Sequence, residues 1–217
     1  MTVLVGMVSQ KGGVGKSTLA RLLAREYAQA GWKVKIADLD ISQGTCTDWK
    51  KMREQSGLDP EVAVEPFRTV AQAVKIAESY DLIVFDGPPH SMAGTLEIAR
   101  KCALTVLPTG LSLDDLRPSV MLAHELVGNG ISADKLLFTL CRVGDRENEI
   151  EEARTYISRA GYKCSAGSLP EKTGYRRASD EGKALSEVIY PTLKERAEEI
   201  AQSIIDHITR QEKQEVA

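Results

Sequence analysis

Cysteine is scarce in this chain of 217 residues and histidine scarcer still. The four cysteines, Cys46, Cys102, Cys141 and Cys164, are scattered, with no C-x-x-C spacing and no close histidine. That pattern argues against a disulfide framework or a zinc site and for reduced thiols that pack in a core. The histidines His90, His124 and His207 have no partner spacing and read as structural or surface groups. No apolar run approaches the ~18 residues of a membrane-spanning helix, and no basic-then-apolar leader opens the sequence. The expectation is a cytoplasmic protein with no membrane partner. No Pro/Gly/Ser-rich linker, repeat or low-complexity tract interrupts it, so 1–217 reads as one domain, with 211–217 a frayed tail. A net charge of −3 excludes a uniformly basic nucleic-acid coat but leaves room for a local basic patch.

What is present is a glycine-rich run, Lys11-Gly12-Gly13-Val14-Gly15-Lys16-Ser17-Thr18, directly after an apolar stretch at 3–8. Strand, glycine turn and helix in that order are the setting of a nucleotide-phosphate loop. Glycines let the backbone wrap an anion, and the N–H groups of Gly12 through Thr18 then point at the phosphates. Lys16 supplies a mobile cation for the β and γ phosphates, and the Ser17 hydroxyl is placed for Mg²⁺. Lys11 is a second lysine that the loop pattern does not require; spacing alone places it only as a cation near the site.

Apolar, partly β-branched runs at 3–8, 33–38, 82–86, 104–107, 136–141 and 164–169 alternate with helical patterns. The helices are expected near 16–30, 45–56, 69–79, 92–101, 114–128 and 147–160, with an amphipathic helix over 192–211. A short edge strand is expected at 62–64. Such alternation predicts an α/β fold: a mostly parallel twisted sheet flanked by helices on both faces. The last helix carries Leu193, Ala197, Ile200, Ile204 and Ile208 as one stripe, with acidic residues prominent on its polar face. It is expected to dock on the body rather than on anionic lipid.

Ligands of such sheets bind at the carboxyl ends of strands. Two strands run out into aspartates there, one at Asp38-Leu39-Asp40 and one at Asp86-Gly87-Pro88-Pro89. A carboxylate at a strand tip suits Mg²⁺, held directly or through its waters.

The loop from Lys11 to Thr18 resembles the deviant phosphate loop of the ParA/MinD family of ATPases, and with Asp38-x-Asp40 and Asp86 the resemblance covers essentially the whole chain. Thr47-Asp48-Trp49 is similar to a segment of the small, ParF-like ParA branch. The resemblance implies a phosphate-loop NTPase fold, ATP and Mg²⁺ as cofactors, and a nucleotide-sandwich homodimer. It implies that Lys11 reaches across the dimer to the partner's phosphates, and that Asp38 and Asp86 organise the metal with Ser17. Asp40 then positions the attacking water, so that Lys11, Lys16 and Asp40 form the catalytic set. Arg142, at the end of one strand, and Leu169-Pro170 match segments that flank adenine. Pro108 to Asp114 resembles a turn that faces the dimer partner.

Two departures stand out. Gly87 occupies a position where threonine is usual in the family, and Asp40-Ile41-Ser42-Gln43-Gly44 is one residue longer than the family's Asp-Pro-Gln-Gly and lacks its proline. That insertion is expected to disturb the water geometry more than nucleotide binding.

Arg176, Arg177 and Lys183 follow the family's tyrosine–arginine region. They read either as a non-specific DNA-backbone surface or as a solvated basic face. The family function implied is an ATP-dependent dimerising switch that binds DNA, hydrolyses ATP slowly when a centromere-binding or adaptor protein triggers it, and partitions plasmid or chromosome DNA on the nucleoid. Only ten residues precede the loop, as expected for members without an N-terminal DNA-binding extension. Two rival expectations stand beside it. One keeps the ATPase but assigns it to conjugative DNA processing or to positioning protein clusters; the other is a metabolic enzyme resembling dethiobiotin synthetase. An iron-protein-like redox role would need bridging cysteines, for which only Cys102 is suitably placed.

Overall fold

A computed structural model describes residues 2–216 of the chain, with the side chains of Glu212 and of residues 214–216 outside the description. Eight strands form one sheet: β1 (Val3–Met7), β2 (Val34–Asp38), β3 (Ala63–Pro66), β4 (Leu82–Asp86), β5 (Leu104–Thr109), β6 (Leu136–Val143), β7 (Lys163–Cys164) and β8 (Leu169–Pro170). The order is β3-β2-β4-β1-β5-β6-β7, with β8 also on β6, and every pairing is parallel. Strands buried on both faces need continuous apolar runs, and β2, β4 and β5 are buried at every position.

The helices are α1 (Lys16–Gln29), α2 (Thr45–Gln55), α3 (Val70–Val74), α4 (Met92–Lys101), α5 (Leu113–Gly128), α6 (Glu147–Arg159), α7 (Thr173–Asp180) and α8 (Pro191–Val216). They cover both faces. Leu19, Leu22 and Leu23 of α1 share one core with Ala197, Ile200, Ile204 and Ile208 of α8. The opposite core joins Ile98 of α4, Leu116 and Leu122 of α5, and Ile150 and Ile157 of α6. Burial of each such isoleucine contributes about 1.5–3 kcal/mol, which is why the stripe of α8 settles on the body as its pattern predicts.

Four expectations are corrected. The single strand expected at 164–169 is split: Gly167 takes φ +68°, a bend separates β7 from β8, and each half pairs with β6 separately. The helix expected over 69–79 stops at Val74, and a 3₁₀ turn follows at Ala77–Ser79. Helix α7 has no counterpart in the sequence reading, because eight residues with only Tyr175 and Ala178 buried give little periodicity. The tail expected to fray is helical to Val216, and Gln211 is buried with its Nε2 donating to the carbonyl of Asp134 at 2.9 Å. Ala217 lies outside the described residues. The edge strand expected at 62–64 is β3.

Behind the carboxyl edge of the sheet, α2 is tied to the segment after α7. Trp49 is fully buried and its Nε1 donates to the carbonyl of Lys183 at 3.1 Å. Arg53 is equally buried and makes a two-pronged pair with Glu187, at 2.7 and 3.0 Å, besides donating to the carbonyls of Pro60 and Gly182. A buried guanidinium with its fork fully engaged is a stiff joint. The chain can pass so close only because residue 182 is glycine: its φ is +76°, and a Cβ would lie 2.4 Å from the Arg53 nitrogen.

Candidate nucleotide site

The strand order reverses at β1, which lies between β4 and β5, so a crevice opens at its carboxyl end. The glycine-rich run occupies it. Gly13 (φ +73°) and Gly15 (φ +112°) adopt the left-handed conformations that admit such a turn. A Cβ on Gly15 would also press on Cys141, 3.3 Å from its Cβ and Sγ. The amino end of α1 opens into the crevice, and no acidic side chain in its first turn offsets the partial positive charge there.

Lys16 is 7% exposed, and its Nζ donates to the carbonyl of Lys11 at 3.1 Å. Burial lowers its pKa, while the fields of Asp86 and Asp40 support the charged form. A cation so placed is stabilised by an arriving polyanion.

Register brings the two strand-end acids together: Asp38 is opposite Asp86, which in turn is opposite Met7. Oδ2 of Asp86 accepts from the Cys46 thiol at 3.2 Å, while Oδ1 is buried with no hydrogen-bond partner among the described residues. Burial pushes this carboxyl up to about 6, against the Ser17 hydroxyl and the Cys46 thiol, which favour its charged form. Asp38 is fully buried. Its Oδ1 accepts from the N–H of Asp40 at 3.2 Å and its Oδ2 from the N–H and hydroxyl of Thr47 at 3.2 and 3.0 Å.

These residues fit a magnesium ion. An orphaned carboxylate oxygen beside a serine hydroxyl is an all-oxygen donor set of the kind Mg²⁺ takes, with phosphate and water completing its shell. Ser17 and Asp86 would hold it. Asp38, whose oxygens are already engaged, would orient its waters. Among the described residues no group of three or more His, Cys, Asp or Glu is arranged to hold a metal without such help.

Asp86→Asn tests the strain of the buried carboxylate. A carboxyl raised from 3.8 to about 6 destabilises the metal-free fold by about 3 kcal/mol above that pH, and the cost fades as pH falls toward the unfolded value. Chemical denaturation without Mg²⁺ should therefore find the variant more stable than the parent at pH of about 8, with the gap closing by about pH 4. A gap that widens toward acid would contradict the assignment.

Asp40 faces the cleft. The extra residue after it does not make a loose loop: the Asp40 carbonyl accepts from the N–H groups of Gln43 and Gly44 at 3.1 and 2.8 Å, and its Oδ1 accepts from Ser42 at 2.8 Å. The turn leaves Ile41 half-exposed at its tip.

The cleft has a volume of about 500 Å³. The phosphate loop lines one side; Cys141, Arg142, Leu169 and Pro170 line another. Arg142 adopts φ +57°, donates to the carbonyl of Gly13 at 3.1 Å and pairs with Glu171 at 3.3 Å, thereby bracing the loop. Helix α7 supplies the remaining wall through Tyr175, Arg176, Ser179 and Asp180.

Lys11 lies outside this cleft. It lines a neighbouring hollow, and its half-exposed Nζ is 2.7 Å from Oδ1 of Asp115, whose Oδ2 accepts from Ser112 at 2.9 Å. Partial burial works against the Asp115 charge, but Lys11 and Ser112 outweigh it and hold the carboxyl below its usual range. The turn before α5 was expected to present Asp114; that residue is exposed in the first turn, and Asp115 is the one that meets Lys11.

The three basic residues are divided between two hollows. Arg176 faces the cleft and donates to Thr173. Arg177 and Lys183 line a separate small hollow beside the exposed Ile189 and Tyr190, and Lys183 is paired with Glu181 at 2.6 Å. Cys102 is buried beneath Gly6, and burial pushes its thiol far up. Sequence reasoning missed Cys46 and Asp115 as site residues. Cys46 sits in the first turn of α2, which points back at the strand ends; only that spacing could have marked it.

A parallel sheet with a phosphate loop at the tip of its central strand and acids at the neighbouring tips defines a phosphate-loop nucleotide-binding protein. Residues 5–185 match the family described as the CobQ/CobB/MinD/ParA nucleotide binding domain, and the chain belongs to that family. It is 29% identical to the chromosome-partitioning ATPase Soj of Thermus thermophilus over a 133-residue alignment covering 48% of this chain and 53% of that protein. It is 49% identical over 39 residues to an iron-sulfur cluster carrier protein of Clostridium perfringens, covering 18% of this chain and 14% of that one. The chain thus spans about half or less of the curated relatives it matches. The fold is that of the septum site-determining protein MinD of Pyrococcus horikoshii, solved with Mg-ADP, at a TM-score of 0.72 and 18% identity over 94% of this chain and 96% of that one.

Proposed function

We propose that this chain is an ATP-dependent switch: an ATPase that closes as a homodimer on ATP and Mg²⁺, binds DNA non-specifically in that state, and lets go when a partner protein triggers hydrolysis. The observation that carries the reading is the separation of the two loop lysines. Lys16 is buried in the cleft, where it serves the nucleotide of its own subunit. Lys11 is half-exposed outside the cleft, held by one surface ion pair, and such a pair is worth at most about 1 kcal/mol. A lysine so lightly held is free to swing to a phosphate presented by a second copy. The surrounding face supports this: Leu113 and Met121, two turns apart on α5, are exposed, and so is Ile41 beside Asp40.

Hydrolysis in this reading needs an aligned water and compensation of charge. Asp40, at the cleft and fixed by its own turn, positions the water. Lys16 and the partner's lysine neutralise the transferring phosphoryl group, and Ser17 and Asp86 would hold a Mg²⁺ that adds to this charge neutralisation. Soj, a chromosome-partitioning ATPase by its description, lends the reading its cargo: plasmid or chromosome DNA brought to a centromere-binding or adaptor partner. Arg177, with Lys183 once freed from Glu181, is the candidate DNA contact; Arg176 serves the cleft first.

The test is DNA retention measured with ADP, with ATP and with a slowly hydrolysed analogue. Binding is expected with ATP and the analogue, absent with ADP, and steeply weakened by salt. Asp40→Ala should bind DNA with ATP and not release it. Equal retention with ADP and ATP would refute the switch. Release of phosphate with a modified small acceptor would instead favour a metabolic enzyme.

A further inference from the structure

Arg21 has no part in the roles assigned above, and its setting is uncommon for an arginine. It lies one turn beyond Ser17 on α1 and is only 8% exposed. Its one hydrogen bond among the described residues runs from Nε to the carbonyl of Ser17, 3.0 Å away. The two Nη groups, with four N–H donors, have none. The guanidinium stands 5.9 Å from the centre of the Trp49 ring, and the side chain forms part of the cleft wall with Thr18 and Thr45.

Arg53 is the internal contrast. It is stacked on the same ring at 5.4 Å, but its fork is spent on Glu187 and on the carbonyls of Pro60 and Gly182. One face of Trp49 thus carries a satisfied guanidinium, and Arg21 brings one with unspent donors. The Nη groups are not among the buried polar atoms left without a partner; they open to the cleft, where an anion can meet them. Side chains on a helix lean toward its amino end, and the bond to Ser17 holds Arg21 in that direction, so its fork is aimed up α1 toward the phosphate loop.

We infer that Arg21 is a second phosphate-binding cation of the cleft, meeting the bound nucleotide from the Thr18 side, with Trp49 as the plate that positions it. The inference rests on the nucleotide-binding reading of the cleft and deepens it. Arg21 borders this cleft, whereas Lys11 borders the neighbouring hollow. The inferred contact is placed on the phosphates shared by ADP and ATP, because Arg21 lies one turn beyond Ser17 on α1, at the far end of the loop from Lys11. When the nucleotide draws the guanidinium to itself, the surroundings of the Trp49 ring change.

The chain has two tryptophans, and Trp32→Phe leaves Trp49 as the sole emitter. In that background Mg-ADP should shift Trp49 emission. Arg21→Gln should weaken Mg-ADP and a non-hydrolysable ATP analogue alike, by about tenfold to a hundredfold, the loss expected for one charge-assisted contact. Arg21→Lys should recover part of it, and the emission shift should vanish in Arg21→Gln even at saturating ADP. Wild-type affinity in Arg21→Gln, or loss confined to the ATP analogue, would overturn the inference. So would unchanged Trp49 emission at saturating ADP in the parent background, a reading that needs no substitution at Arg21. Lys16→Ala is the control: it should lose Mg-ADP binding whether or not Arg21 contributes, and parental binding there would count against a cation-based account of the cleft rather than against Arg21 alone.

Discussion

Lys16→Ala is expected to lose nucleotide binding by about a hundredfold or more in equilibrium titrations with Mg-ADP. The size of the effect follows from where the lysine sits. It is buried at the amino end of α1, its ammonium donates only to a loop carbonyl among the described residues, and desolvation already depresses its pKa. A charge-assisted contact from a lysine this buried to phosphate is worth roughly twice a neutral hydrogen bond, and one ammonium donates several. Folding should survive, because Lys16 makes no ion pair within the described residues and its stem can be shortened without exposing the core. A variant that binds ADP within a few-fold of the parent would mean that the backbone cradle alone holds the phosphates. The account of the site would then have to be rebuilt around Gly12–Thr18 without its cation.

Lys11→Ala is expected to behave differently. Binding of ADP should stay within about twofold of the parent, since Lys11 is outside the cleft and the one polar partner of its side chain among the described residues is Asp115. Fold stability should change by less than about 1 kcal/mol, the ceiling for a half-exposed ion pair. ATP-dependent self-association, by contrast, should fall by two orders of magnitude or more, because each of two symmetric sites loses a charge-assisted contact to phosphate and the losses compound. The contrast between the two lysines is sharper than either result alone. On the proposed reading, Lys16 should govern whether nucleotide is bound, and Lys11 what a bound triphosphate does. Sedimentation of both variants at matched nucleotide saturation separates the two effects.

Much of this was legible from the residues. The phosphate loop could be read because its requirements are local: glycines for positive φ, a lysine and a serine at fixed spacing, a strand before and a helix after. The parallel sheet was equally readable, because strands covered on both faces must be continuous apolar runs, as at Leu82–Asp86. The acids Asp38 and Asp86 could be named because they end such runs, but only strand register shows that they are neighbours.

What could not be read has physical reasons as well. The unsatisfied Oδ1 of Asp86 depends on Cys46 capping the other oxygen, a contact 40 residues apart in the chain. Helix α7 contributes four residues to the cleft wall yet has too few apolar positions to reveal a period. The basic residues 176, 177 and 183 looked like one cluster along the chain, but successive residues of an α-helix are turned by about 100°, and Arg176 and Arg177 of α7 line different hollows. The sequence marks the residue inserted after Asp40 only as a disturbance, whereas hydrogen bonds from Gln43 and Gly44 absorb it into a closed turn.

The central claim is that nucleotide state governs self-association through Lys11, and solution mass tests it most directly. Light scattering on the purified chain with Mg²⁺ and a non-hydrolysable ATP analogue should give twice the 23.7 kDa of one copy, and with ADP a single copy. A mass of one copy in both states, at concentrations where the analogue is shown to be bound, would contradict the account.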